Sequence, residues 1–216
     1  MIFNSFGKKL LVFALCCFLL CLAGCSNALS FKNDGNTGNL IDEENDRYYI
    51  YCKGYLRAAA IKPALYAKGD QGEKLYEVDG IDPAKWLSED IRGGIAFLFR
   101  EESVPEPAFE EFETEKIIIT MTEAISVAIG QITDPETVDK VVRDYLDNKE
   151  ATYPDDVTDR FSFLFDSPKH EGIYYVLEYL VDAKNNSFLY DRWTGRCVLC
   201  SYKMFAGDGI DWEELY

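Results

Sequence analysis

The stretch from Ile173 to Val181 most restricts how this chain can fold. Ile173, Tyr175, Leu177, Tyr179 and Val181 recur at every second position, and Tyr174, Val176 and Leu180 line most of the other side. Successive side chains of a strand point to opposite faces. This strand is therefore apolar on both and belongs in the middle of a sheet covered on both sides. Its partners are close in sequence. Phe161, Phe163 and Phe165 alternate before it. After it, Ala183 to Asn186 makes a turn, Ser187 to Asp191 returns, Arg192 to Gly195 turns again, and Cys197 to Tyr202 forms the next strand. From Arg160 onward the chain reads as a β-meander.

The clearest helix precedes that meander. Asp134 is a helix cap and Pro135 suits the first helical position. Val138, Val141, Val142, Tyr145 and Leu146 then fall on one face, with Glu136, Lys140, Arg143, Asp144 and Asp147 opposite. The spacing predicts an amphipathic helix from Pro135 to Asn148, packed across the sheet. Farther upstream the signals are shorter. Tyr48 to Cys52, Lys74 to Val78, Ile95 to Arg100, Lys116 to Met121 and Ile125 to Ile132 read as strands. Leu56 to Tyr66 reads equally as a helix, from its three alanines, or as an edge strand, from Pro63. Asp82-Pro83 opens a second expected helix carrying Trp86, Leu87 and Ile91 and ending at Gly93-Gly94. Glu101 to Glu115 is a glutamate-rich loop. Asp-Pro, helix, then Phe-Leu-Phe occurs twice, ending at Ala96–Phe99 and at Ser162–Phe165, which raises the question of an internal duplication. The expected fold is α+β: an antiparallel meander with one amphipathic helix across it, plus a smaller N-terminal α/β portion.

The first 25 residues follow different rules. Lys8 and Lys9 precede an uncharged run from Leu10 to Ala23, closed by Gly24-Cys25. A basic start, an apolar middle and small residues before a cut are the layout of an export signal. The strongly apolar run of 14 residues spans roughly 21 Å as a helix, short of the ~30 Å hydrocarbon core. Leu22-Ala23-Gly24-Cys25 resembles the lipobox of bacterial lipoproteins. That resemblance implies cleavage between Gly24 and Cys25, with Leu22, Ala23 and Gly24 read by the signal peptidase. It also implies a diacylglyceryl group on the Cys25 thiol and a new amine open to acylation. Two acyl chains give stable attachment where one gives only marginal attachment. The expected product is anchored to the cell membrane on its extracytoplasmic face.

The expected organisation is a signal peptide (1–24), a lipidated Cys with a flexible tether (25–46) and a globular domain (47–216), with halves 47–122 and 123–216. The tether reading rests on Asn-, Asp- and Gly-rich sequence with few apolar residues. Removing the leader takes Lys8 and Lys9, so Lys+Arg falls from 22 to 20 against 38 Asp+Glu, a net charge near −18. Such acidity repels nucleic acid and argues against it as a partner.

Signatures of chemistry are sparse. His170 is the only histidine, so any Ser-His-Asp or Cys-His arrangement must use it, yet it falls in an expected hairpin loop. Cys197 and Cys200 match C-x-x-C, but on a strand they face opposite ways, about 10 Å apart, too far for a disulfide. Cys52 either bridges to one of them, or all three are free thiols. Zinc would need Cys52 and His170 as further ligands. Asp155, Asp156 and Asp159 lack the Gly and terminal Glu of a calcium loop. No Gly-rich phosphate loop occurs, and no cofactor is implied.

The hairpin Tyr174…Tyr190-Asp191-Arg192-Trp193-Thr194-Gly195-Arg196 is similar to the hairpins of PepSY-type domains, which also follow a helix and turn at Asp-x-x-Thr-Gly. That resemblance bears on fold class alone. The functional expectation is a lipid-anchored, non-enzymatic binding or interaction module of the bacterial cell envelope, meeting an unknown protein or envelope ligand. The alternatives are a secreted hydrolase using carboxylates, or a small-molecule sensor with a cavity between helix and sheet.

Overall fold

The computed structural model describes residues 28–35, 37–52, 56–58, 61–89, 96–122 and 126–204. The described residues hold fourteen strands and one α-helix. The strands are β1 (Leu29–Asn33), β2 (Leu40–Asp42), β3 (Arg47–Tyr51), β4 (Leu56–Ala58), β5 (Ile61–Gly69), β6 (Lys74–Val78), β7 (Trp86–Glu89), β8 (Leu98–Glu101), β9 (Lys116–Thr122), β10 (Ser126–Ile132), β11 (Val157–Asp166), β12 (Ile173–Asp182), β13 (Ser187–Tyr190) and β14 (Cys197–Cys200). The helix, α1, is Pro135–Asp147.

Seven strands close into a barrel in the order β1-β2-β3-β8-β7-β6-β5, sealed by parallel pairing of β1 with β5. Closure leaves no open edge. Each short strand sends one or two side chains inward, and Phe31, Leu40, Tyr49, Ala67, Leu75, Leu87 and Phe99 fill the interior. Phe31 stacks on Tyr49 with ring centroids 5.4 Å apart.

The second sheet has the order β10-β9-β11-β12-β13-β14, with β4 added on β12. The meander from β11 to β14 therefore forms as the alternation predicts. Helix α1 lies on its core face. Asp134 caps it by accepting the Thr137 N–H at 2.9 Å, and Val138, Val141 and Tyr145 bury against Ile117, Ile119, Ile132 and Val198. This core reaches into the barrel half through Cys52, Val78, Trp86 and Leu98. Strand β12 is covered on both faces only toward its C-terminal end. There Leu177 and Tyr179 join the main core, while Leu180 packs with Phe188 and Cys197 on the other face; Tyr174 and Val176 remain half-buried.

Three expectations need correction. The segment expected as a tether carries β1 and β2, and Phe31 and Leu40 are fully buried. Its polar residues make the turns instead. Asp34 accepts the Thr37 N–H at 2.9 Å and the Tyr48 hydroxyl at 3.0 Å, and Gly35 and Gly38 take positive φ, which glycine adopts without steric cost. A short barrel strand needs only one inward apolar residue, so low hydrophobicity did not preclude structure.

The helix expected from Asp82 is a single turn. The Asp82 backbone carbonyl accepts from the Lys85 and Trp86 N–H groups, and its carboxylate accepts from Ala84. The chain then extends as β7, sending Leu87 into the barrel and Trp86 into the main core. Two adjacent apolar residues buried in different cores require a strand; residues 90–95 lie outside the described ones. The N-terminal portion is thus a β-barrel where an α/β unit is expected.

The two Phe-Leu-Phe segments do not occupy equivalent places, since Phe99 belongs to the barrel and Phe163 and Phe165 to the second sheet. Leu56 to Tyr66 resolves as extended chain in β4 and β5, with the ladder register shifting around Pro63, which has no N–H to give. Truncation of Phe31 to Ala should lower stability by about 3–5 kcal/mol, as for a buried aromatic in a packed core, measured by urea unfolding; a residue in a flexible tether would leave the midpoint unmoved.

Candidate functional site

Cys25, Leu22, Ala23 and Gly24 lie outside the described residues. Among the described residues no helix is long and apolar enough to cross a membrane.

His170 ends a 3-10 turn, Pro168–His170, between β11 and β12. Its ring stacks on Phe112, centroids 5.0 Å apart and planes 17° from parallel. Burial pushes its pKa down, helped by the Lys169 charge and opposed by a hydrogen bond to the Glu111 backbone. Its Nε2 is buried without a hydrogen-bond partner, which favours the neutral ring. The histidine docks the 109–115 segment onto the second sheet.

All three described cysteines are free and buried. Cys197 packs with Leu180 and Phe188, while Cys200 enters the main core with Cys52, so the C-x-x-C pair does face opposite ways. Burial pushes the Cys52 and Cys200 thiols up to about 12 and Cys197 up to about 11. Thiols held this far above neutral pH are poor nucleophiles and poor metal ligands. Among the described residues no group of three or more His, Cys, Asp or Glu side chains is placed to hold a metal ion. Asp155 and Asp156 precede β11 and Asp159 lies within it.

Asp191 is fully buried and organises the β13–β14 turn. Its carboxylate accepts the Trp193 N–H at 2.8 Å and the Thr194 N–H at 3.3 Å, and the Tyr145 hydroxyl of α1 donates to it at 3.3 Å. Arg196 stacks over the Tyr145 ring at 4.9 Å and donates to the Leu146 carbonyl at 3.1 Å. The Asp-x-x-Thr-Gly turn thereby locks the helix to the hairpin. The space between α1 and the sheet, where a sensor would hold its ligand, is occupied by Val138, Val141 and Tyr145.

Two surfaces remain that sequence reasoning missed. A cleft of about 310 Å³ opens between the 109–115 segment and the first turns of α1, with Phe109, Val138 and Val142 as apolar lining and Glu110, Glu113, Glu115 and Asp139 around it. Glu113 pairs with Lys169 at 2.9 Å, and Asp139 with Arg143. The second surface is β10, which among the described residues pairs with β9 alone. It carries no charged residue, and Val127, opposite Met121 on β9, is about half exposed with it. The lack of charge is visible in the sequence, but the edge position is not. The cleft has no local signal, because it forms where a loop and a helix distant in sequence meet.

The chain matches no family model, no curated protein and no solved structure.

Replacing Asp191 by Ala should cost about 3 kcal/mol, since it strands buried donors that a charged acceptor now satisfies; thermal unfolding reads this directly. The thiols set an alkaline limit. Below ~8.5, the ordinary thiol value, both states hold the proton; above it the unfolded chain releases it first. Stability should therefore fall as pH rises toward about 12, and urea midpoints for a Cys52→Ala, Cys200→Ala variant should fall less steeply over that range.

Proposed function

We propose that this protein is a lipid-anchored binding or interaction module on the extracytoplasmic face of a bacterial cell membrane, joined to the bilayer through a diacylglyceryl group on Cys25. The observation that carries the reading is Leu22-Ala23-Gly24-Cys25 at the end of a short, uncharged apolar run behind Lys8 and Lys9. What lies behind that motif supports binding over catalysis. The described cysteines are buried and protonated, and the one histidine is committed to packing on Phe112. The surfaces on offer are the carboxylate-rimmed cleft and the uncharged β10 edge.

A second reading, a secreted hydrolase working with carboxylates, draws on the cleft, where four acidic residues surround one concavity. Two of those four are engaged in ion pairs with Lys169 and Arg143, which favours binding. Photo-cross-linkers placed at Val127 and at Asp139 in intact cells, with mass identification of the neighbours, assign partners to each surface.

The anchor is tested by Cys25→Ser. The variant should lose the acyl mass and leave the membrane fraction; unchanged mass and unchanged membrane retention overturn the reading.

A further inference from the structure

Chain length limits how far the folded part can stand from its anchor. β1 begins at Leu29, four residues after Cys25, and it is locked in the barrel, with Leu29 paired to Ala67 and Lys32 to Ile41. A polypeptide spans at most ~3.3–3.6 Å per residue, so Leu29 lies within about 14 Å of Cys25. A tether reaching to Asp46 would allow about 75 Å on the same count.

The strand register shows what sits beside Leu29. β2 runs antiparallel to β1, with Asn33 opposite Leu40 and Lys32 opposite Ile41. The β2–β3 turn, Glu43-Glu44-Asn45-Asp46, therefore lies at the same end of the barrel as the first residue of β1. All four turn residues are exposed, and Lys32 reaches back along β1 to pair with Glu43 at 2.5 Å. β8 ends at the same level, with the Glu102 N–H bonded to the Tyr48 carbonyl.

We infer that the protein is held against the bilayer: with Cys25 acylated, the start of β1 and the Glu43–Asp46 turn sit at the lipid headgroups, and the partner of this turn is the membrane surface itself. The inference rests on the lipoprotein reading of Cys25. The short link sets this seat, and charge does not: Glu43 is paired with Lys32, and an anionic surface repels the carboxylates of Glu44 and Asp46. The binding surfaces of the second sheet then work close to the membrane, without the sweep of a long tether.

The test couples the chain from Cys25 onward, through the Cys25 thiol, to a maleimide lipid in phosphatidylcholine vesicles; the other three thiols are buried. A donor dye goes on an azide-bearing residue at position 44 or at position 71, and an acceptor dye on the headgroups. Gln71 is exposed in the turn after β5, which runs parallel to β1 with Gly69 opposite Phe31, so it lies at the other end of the barrel from Leu29. Transfer should be stronger from position 44 than from 71. It should fall at position 44 when a Gly/Ser insert of ~20 residues before Ala28 adds about 25 Å of r.m.s. reach. Equal transfer from both positions, or a position-44 signal indifferent to the insert, overturns the inference. Because the lipid is attached chemically, this outcome does not depend on acylation in cells; failure of acylation there overturns only the anchor reading.

Discussion

Burying β12 makes demands on both halves of the chain. On one side it pairs with β11 along its whole length; on the other, β13 covers its C-terminal half and β4 its first three residues. β4 comes from the barrel portion, between β3 and β5. The strand thus draws a segment more than a hundred residues away into its own sheet, and the main core follows, taking Cys52, Val78, Trp86 and Leu98 from the barrel side. Gly172, at φ 86, lets the chain enter β12 where the backbone carbonyl of Asp79 and the side chain of Ile81 leave no room for a Cβ. The two portions pack as one because the strand that most needs covering is covered by both.

Around Tyr179 the buried polar groups of this core are matched, as most buried groups are. The Tyr179 hydroxyl, on β12, lies 2.7 Å from the Ser187 hydroxyl, donates to the Tyr202 carbonyl at 3.0 Å and accepts the Met204 N–H at 3.2 Å. That set fastens the segment after β14 across the sheet beside α1. Asp182 and Asp191 each use a carboxylate to hold the turn that follows their strand. In a chain with 38 acidic residues, these few are structural, while those around the cleft and at the β2–β3 turn face water. The acidity of the surface and the stability of the hairpins therefore depend on different carboxylates.

Revising the tether changes the functional picture more than any other correction. A lipidated Cys followed by a long flexible segment describes a domain that samples a wide volume. If Cys25 is lipidated as proposed, a closed barrel that follows it almost at once describes a domain seated at the membrane. The barrel is filled by its own side chains, so its contribution lies in its outer surface and in where it places the second sheet.

The helix from Asp134 and the meander from Phe161 to Cys200 were legible because each stretch carries its own periodicity and its own cap or turn residues. The opposite orientation of Cys197 and Cys200 followed from the same two-residue repeat. The barrel was not legible. Leu87 and Trp86 read as a helical stripe until two separate cores claim them, and Phe31 and Leu40 read as isolated apolar residues until seven strands close around them. The cleft and the β10 edge were hidden for a related reason, since each is defined by what lies beside it. By itself the sequence determined the helix, the central strand and the turns, because these depend on neighbours in the chain. Tertiary structure alone decided the closed barrel, the seat of β4 on β12 and the short distance from Cys25 to folded protein, because these depend on pairings between strands that are distant in sequence and weakly marked within it.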